Sequence, residues 1–192
     1  MINPVYAARR IAYKLYERRH RDEPWLAQGA IAFIDLQLSS DDHGLEWGSG
    51  RSTQWFAARL AHLTSIESDA AWYETVREQT ARLTNVDLRH IALDHAPEEP
   101  TRPVYDPQPK YVAVTDQLSD ASLNFVLVDG HYRQACVLAA LPKITPGGLL
   151  AIDNSNWLAL SEWNVPADWP LVHQSSNVMT ETSVWRKPGI AI

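Results

Sequence analysis

A chain of 192 residues, 45% hydrophobic and 21% charged, has the bulk for one globular domain with a sizeable core and too little for two. Its single cysteine, Cys136, excludes an internal disulfide, and no charged-then-apolar leader or apolar run of membrane-spanning length is present, so a soluble cytoplasmic protein is expected. The net charge of −6 is uneven: six basic residues against Glu17 put residues 1–21 at +5, and the remainder stands at −11. A broad nucleic-acid-binding face is thereby excluded, because such faces concentrate Lys and Arg.

In chain order, VYAARRIAYKLYERRH (5–20) spaces its apolar residues among basic ones and predicts a helix whose basic face is solvated, or touches an anionic membrane, an acidic partner or a second subunit. DEPWLAQGAIAFIDLQL (22–38) predicts a second helix, with Asp22 before Pro24 as its start. Residues 1–40 thus form a helical extension on a core of residues 41–192. The core alternates: strand HGLEWG, helix RSTQWFAARL, strand HLTSIE, helix SDAAWYETVREQTARL behind a Ser/Asp cap, strand VDLRHIAL. Residues 94–110 contain five prolines and predict one extended loop. LNFVLVDG reads as a buried strand, HYRQACVLAALPKI as a helix, TPGG as a tight turn and GLLAIDN as another buried strand. WPLVHQSS and TETSVWRKP close the chain as two further strands.

Such alternation with continuous apolar strands predicts an α/β three-layer sandwich, a mostly parallel sheet covered on both faces. Ligands of these sheets bind beyond the carboxyl ends of the strands. Glu46, Glu67, Asp129, and Asp153 with Asn154 all fall at such ends. In GLEWGSGRSTQWFA (44–57), Gly48 and Gly50 form a strand-to-helix turn, and Glu67 follows Glu46 by 21 residues, the spacing of a ribose-binding acid. A dinucleotide fingerprint would place glycine where Thr53 stands, and Glu46 would repel a pyrophosphate. An acid there suits a cationic nucleoside such as S-adenosylmethionine, with its ammonium and sulfonium. A nicotinamide-dependent oxidoreductase is the disfavoured enzyme alternative.

EWGSGRS resembles the first motif, acid-x-Gly-x-Gly-x-Gly, of class I S-adenosylmethionine-dependent methyltransferases, with Ser52 at the third glycine. SIESD resembles their second-strand acid motif, and FVLVDG with ITPGGLLAIDN their fourth and fifth strands, so the likeness spans residues 43–155. It implies a seven-stranded Rossmann-like sheet with an antiparallel last strand. It also implies cofactor contacts at Glu46, Gly48, Ser49, Gly50, Ser52, Glu67, Ser68 and Asp129, with Glu46 near the methionine portion and Glu67 on the ribose hydroxyls. The nearest resemblance is to uncharacterised bacterial small-molecule O-methyltransferase-like proteins, with a small molecule or glycan precursor as acceptor and a homo-oligomer as the assembly. A methyltransferase-like fold serving as a non-catalytic binding module is the alternative of another class.

Asp129, Asp153 and Asn154 admit two readings. As three oxygen ligands they suit a magnesium-like ion that would lower the pKa of an acceptor hydroxyl, a pairing similar to that of cation-dependent O-methyltransferases; otherwise they are a helix cap and a turn. His131, just past a strand end, is the leading general base, with Asp129 beside it. Arg133 would clamp an anionic acceptor or else pair with a neighbouring acid. Trp157, with Trp163 and Trp169, would line an acceptor pocket, whereas Trp47, Trp55 and Trp72 read as core. His95 heads the Pro-rich loop, and Cys136 reads as buried filler.

Overall fold

The computed structural model describes residues 4–96, 101–177 and 179–189. Helices α1 (Pro4–Arg19) and α2 (Gln28–Asp35) precede β1 (His43–Trp47), α3 (Arg51–Ala57), β2 (His62–Glu67), α4 (Ala70–Thr80) and β3 (Val86–His90). After the Pro-rich loop, whose residues 97–100 lie outside the described residues, come α5 (Lys110–Ala113), β4 (Leu123–Val128), α6 (Arg133–Ala140) and β5 (Ile144–Ile152). Strands β6 (Leu171–Ser176) and β7 (Glu181–Arg186) close the chain.

The seven strands form one sheet in the order β3-β2-β1-β4-β5-β7-β6. All neighbours pair in parallel except β7, which inserts antiparallel to both β5 and β6. Chain direction along the sheet reverses between β1 and β4, and there the carboxyl ends open a crevice.

Period-two alternation divides each apolar strand between two cores. Leu45, Trp47, Val126, Val128, Leu150 and Ile152 pack on one face with α6 residues Cys136 and Val137. Phe125, Leu127, Leu149 and Ala151 pack on the other with Ile31 and Ile34 of α2 and Phe56 of α3. Each Val, Leu, Ile or Phe among them, fully withdrawn from water, contributes about 1.5–3 kcal/mol, which is why the strands are apolar on both sides. Trp47 is wholly buried and its indole N–H donates to the Tyr111 carbonyl at 2.9 Å, tying α5 under β1.

Three local differences from the sequence reading have tertiary causes. Pro24 does not open α2. Leu26 and Ala27 are instead buried, Ala27 in an extended conformation with its N–H donating to Thr182 Oγ1 at 3.1 Å, so the helix starts only at Gln28. The TPGG segment lies inside β5 as an irregularity, the pairing with β4 jumping from Leu123/Ile144 to Phe125/Leu149. Gly147, at φ +85°, turns the chain so that its N–H reaches the Lys187 carbonyl at 2.9 Å. The short α5 was legible only as the end of a Pro-rich loop.

Candidate functional site

The crevice is built from strand ends. Glu46 sits on β1 opposite Ser65 of β2 in the parallel register, and its side chain is fully buried. Ser65 Oγ donates to Glu46 Oε1 at 2.7 Å, and the Thr53 hydroxyl donates to the same oxygen. Thr53 Oγ1 in turn accepts the Gly50 N–H at 3.0 Å, locking the glycine loop onto the carboxylate. Glu46 Oε2 is buried and has no hydrogen-bond partner among the described residues. Burial pushes the carboxyl up to about 7, against the lowering effect of the Thr53, Ser65 and Ser52 hydroxyls.

The two loop glycines do different work. Gly48, at φ +94°, lies so close to the β4 end that a Cβ there would sit 2.9 Å from the Asp129 carbonyl oxygen. This glycine is required by the backbone. Gly50 is extended, and a Cβ there would meet nothing nearer than the Trp72 ring at 3.9 Å. Its missing side chain leaves room above the loop.

Glu67, 7% exposed at the end of β2, accepts the Ser68 and Asp69 N–H groups on Oε1 at 2.7 and 2.8 Å. Asp69 caps α4 by accepting the Trp72 N–H at 2.7 Å, and the Trp72 indole N–H donates to the Ser49 carbonyl at 2.7 Å. A rigid chain of bonds thus links the second acid to the glycine loop.

Beside the loop is a cavity of about 350 Å³, with Asp129, Asp153, Asn154 and Thr180 on the sheet side and Tyr13, Lys14 and Glu17 of α1 opposite. The Tyr13 hydroxyl is pushed up to about 12 by burial, with nearby Glu17 and Asp153 adding to the shift.

The sequence matches no family model and no curated protein. Solved structures do match. A methyltransferase-like protein of Silicibacter pomeroyi is 23% identical over 88% of this chain and 91% of its own, with a TM-score of 0.56. An N-methyltransferase, NodS, from Bradyrhizobium japonicum is 14% identical over 89% and 96%, at 0.55. An RNA methyltransferase from Salinibacter ruber, solved with S-adenosylhomocysteine, is 12% identical over 84% and 90%, at 0.54. The chain has the class I methyltransferase fold.

Within the methyltransferase fold, the residues expected at the cofactor loop are brought together: Glu46, Gly48, Ser49, Gly50 and Ser52 around one turn, with Glu67 and Ser68 at the adjacent strand end. The remaining residues are arranged differently from the metal and acceptor roles expected of them. Asp129, Asp153 and Asn154 line one cavity, but the Arg133 guanidinium lies among them and takes oxygens that a metal would use. Its Nη2 donates to the Asp129 carbonyl and to Oδ1 at 3.0 and 3.2 Å, and Nη1 donates to Asn154 Oδ1 at 3.0 Å and to the Asp153 carbonyl. The Asp153 carboxylate is satisfied separately, by the hydroxyls of Thr180 and Thr182 at 2.6–2.8 Å. Among the described residues no group of three His, Cys, Asp or Glu side chains is arranged to hold a metal ion.

Arg133 is therefore a clasp between the β4 and β5 ends, 5% exposed, and is not available to an acceptor. Trp157, 47% exposed, lies over that guanidinium at 4.4 Å, covering it from outside. Trp163 and Trp169 are core, the former wholly buried with its N–H on the Ser155 carbonyl at 2.8 Å. His131 is not among the residues bounding the cavity; its ring neighbours Tyr111 and Tyr132. Tyr132, in a left-handed conformation before α6, donates its hydroxyl to the His95 carbonyl and accepts the His95 N–H, anchoring the Pro-rich loop.

Four participants escaped the sequence reading. Thr53 had a signal, standing three residues after the Gly50 cap, the spacing at which a side chain reaches back to the cap N–H. Ser65 required the β1–β2 register. Trp72 and Tyr13 required the placement of α4 against the loop and of α1 over the cavity.

Proposed function

We propose that the protein transfers a methyl group from S-adenosylmethionine to an oxygen of a small molecule or glycan precursor. The observation that carries this reading is Glu46: a fully buried carboxylate with one oxygen fixed by two hydroxyls and the other without a hydrogen-bond partner among the described residues, beneath a loop whose Gly50 leaves space above it. An isolated buried acid is unfavourable, and a cationic ligand restores the balance. That donor set fits the ammonium-bearing end of S-adenosylmethionine. Glu67, held by two backbone N–H groups, fits a ribose diol.

When bound, S-adenosylmethionine supplies a methyl carbon made electrophilic by its sulfonium. The chain's own residues align and deprotonate the acceptor. Asp129, whose side chain is 27% exposed on the cavity wall, is placed to accept the hydroxyl proton as the oxygen attacks. Arg133 is a positioning residue, holding the Asp129 backbone and Oδ1 through two of its donors. Tyr13 and Lys14 of α1 wall the cavity from the opposite side, and a space of about 350 Å³ suits a small acceptor. No step requires a metal: Asn154 Oδ1 accepts from Arg133, the Asp153 carboxylate accepts from Thr180 and Thr182, and Asp129, held by Arg133 through Oδ1, serves as the base itself.

Calorimetry with S-adenosylmethionine and S-adenosylhomocysteine tests the reading. Binding of both with one site per chain supports it, and absence of binding by the folded protein defeats it.

A further inference from the structure

A second cleft, of about 300 Å³, adjoins the Asp129 cavity and shares Lys14 and Glu17 with it. Its remaining walls are Arg18, Arg21 and Arg51, so four cations face one acid. Lys14 and Arg18 are one helical turn apart on α1, and Arg21 follows just beyond its end. Arg51 comes from the opposite side, at the start of α3, immediately after Gly50. Among the described residues none of these four cations is in a salt bridge, whereas Arg59, Arg77, Arg89, Arg133 and Lys143 each have a carboxylate partner.

Arg51 is the informative member. Its guanidinium lies over the Trp25 ring, 4.7 Å from the centroid. Its Nη1 is covered from solvent yet donates to no acceptor among the described residues. A covered cationic donor without an acceptor is unfavourable, as is the convergence of four like charges. Both are relieved by a multiply charged anion, and guanidinium forks match phosphoryl oxygens two at a time.

We propose that this cleft is an anion subsite for a phosphoryl or diphosphoryl group of the acceptor. Held there, the phosphate leaves the acceptor's hydroxyl end in the adjoining cavity at Asp129. The assignment of the anion to an acceptor rests on the methyltransferase reading; the anion site itself does not. A small phosphorylated molecule fits better than a nucleic-acid strand. The cleft spans four cations on a chain whose remainder beyond residue 21 carries −11, and a strand extending past the cleft would meet that acidic body.

Titration of the full chain with inorganic pyrophosphate, followed calorimetrically with and without saturating S-adenosylhomocysteine, tests this. Arg51→Gln and Arg21→Gln are compared with Arg82→Gln, an exposed arginine outside the cleft. The expected result is binding by the wild type, about a tenfold or greater loss in each cleft variant at unchanged melting temperature, and no change in Arg82→Gln. Persistence of pyrophosphate binding with the nucleoside present is also expected. Absence of pyrophosphate binding, or an equal loss in Arg82→Gln, overturns the proposal. So does competition by S-adenosylhomocysteine together with weaker binding of that ligand by Arg51→Gln, which would give the cleft to the cofactor's carboxylate. Arg51-dependent binding of a single-stranded oligonucleotide more tightly than pyrophosphate also overturns it. Arg51-dependent pyrophosphate binding by a protein that binds no S-adenosylhomocysteine supports the subsite while defeating the methyl-transfer reading.

Discussion

Replacing Glu46 with Gln removes one charge from the centre of the crevice and leaves the side chain's shape. In the folded protein, burial raises this carboxyl from 4.5 to about 7. It therefore holds its proton more tightly folded than unfolded. Its contribution to stability is fully present below pH 4.5, declines as pH rises through the interval, and is lost above about pH 7. The rise from 4.5 to about 7 corresponds to about 3 kcal/mol. Urea denaturation of wild type and Glu46→Gln at half-unit steps from pH 4 to 8.5 isolates this, because Asp153, also raised by burial, is common to both proteins and cancels. The stability of the wild type relative to the variant should fall by about 3 kcal/mol between pH 4.5 and 7 and level off above. The same carboxylate must be ionised to receive an ammonium, so S-adenosylhomocysteine should bind the wild type about tenfold more tightly at pH 8 than at pH 6, with no such change in the variant. A stability difference that stays flat from pH 4 to 8.5 would refute the account of Glu46 as a buried acid awaiting a cation.

Gly48→Ala should lower stability by about 1–3 kcal/mol through its positive φ and the contact with the Asp129 carbonyl. Gly50→Ala should melt like the wild type while binding S-adenosylhomocysteine more weakly, because the added methyl group enters only the space above the loop; paired melting curves and calorimetry separate the two. Arg133→Met should destabilise by about 3 kcal/mol in urea titrations, since it strips donors from the Asp129 carboxylate and from buried carbonyls at the β4 and β5 ends. Asp129→Asn should reduce methyl transfer about 100-fold with unchanged S-adenosylhomocysteine affinity, measured by single-turnover kinetics. With an acceptor in hand, EDTA should leave turnover unchanged; loss of activity restored by magnesium would show that Arg133 is displaced from those oxygens during the reaction.

The sequence by itself determined the sheet and which acids stand at its strand ends. Short apolar runs bounded by turns and alternating with helices read as strands buried on both faces, and polar residues at their carboxyl ends mark where the chain leaves the core. Glu46, Glu67 and Asp129 were legible for that reason, and the continuous apolar runs forecast a sheet covered on both faces. Only the tertiary structure decided which polar atoms are already matched and which are left for a ligand. Glu46 Oε1 is taken by Thr53 and by Ser65 from the next strand, Asp153 by hydroxyls of Thr180 and β7, and Asp129 and Asn154 by an arginine that local sequence could equally assign to an acceptor. In the same way α1, a solvated basic helix by its composition, closes one side of the cavity and sets Lys14 and Arg18 opposite Arg51. These pairings join residues far apart in the chain, and a hydrogen bond of 3 Å depends on strand order and helix placement. Neither is encoded in any short stretch of residues, so chemistry that depends on a single oxygen or guanidinium emerges only when the fold is complete.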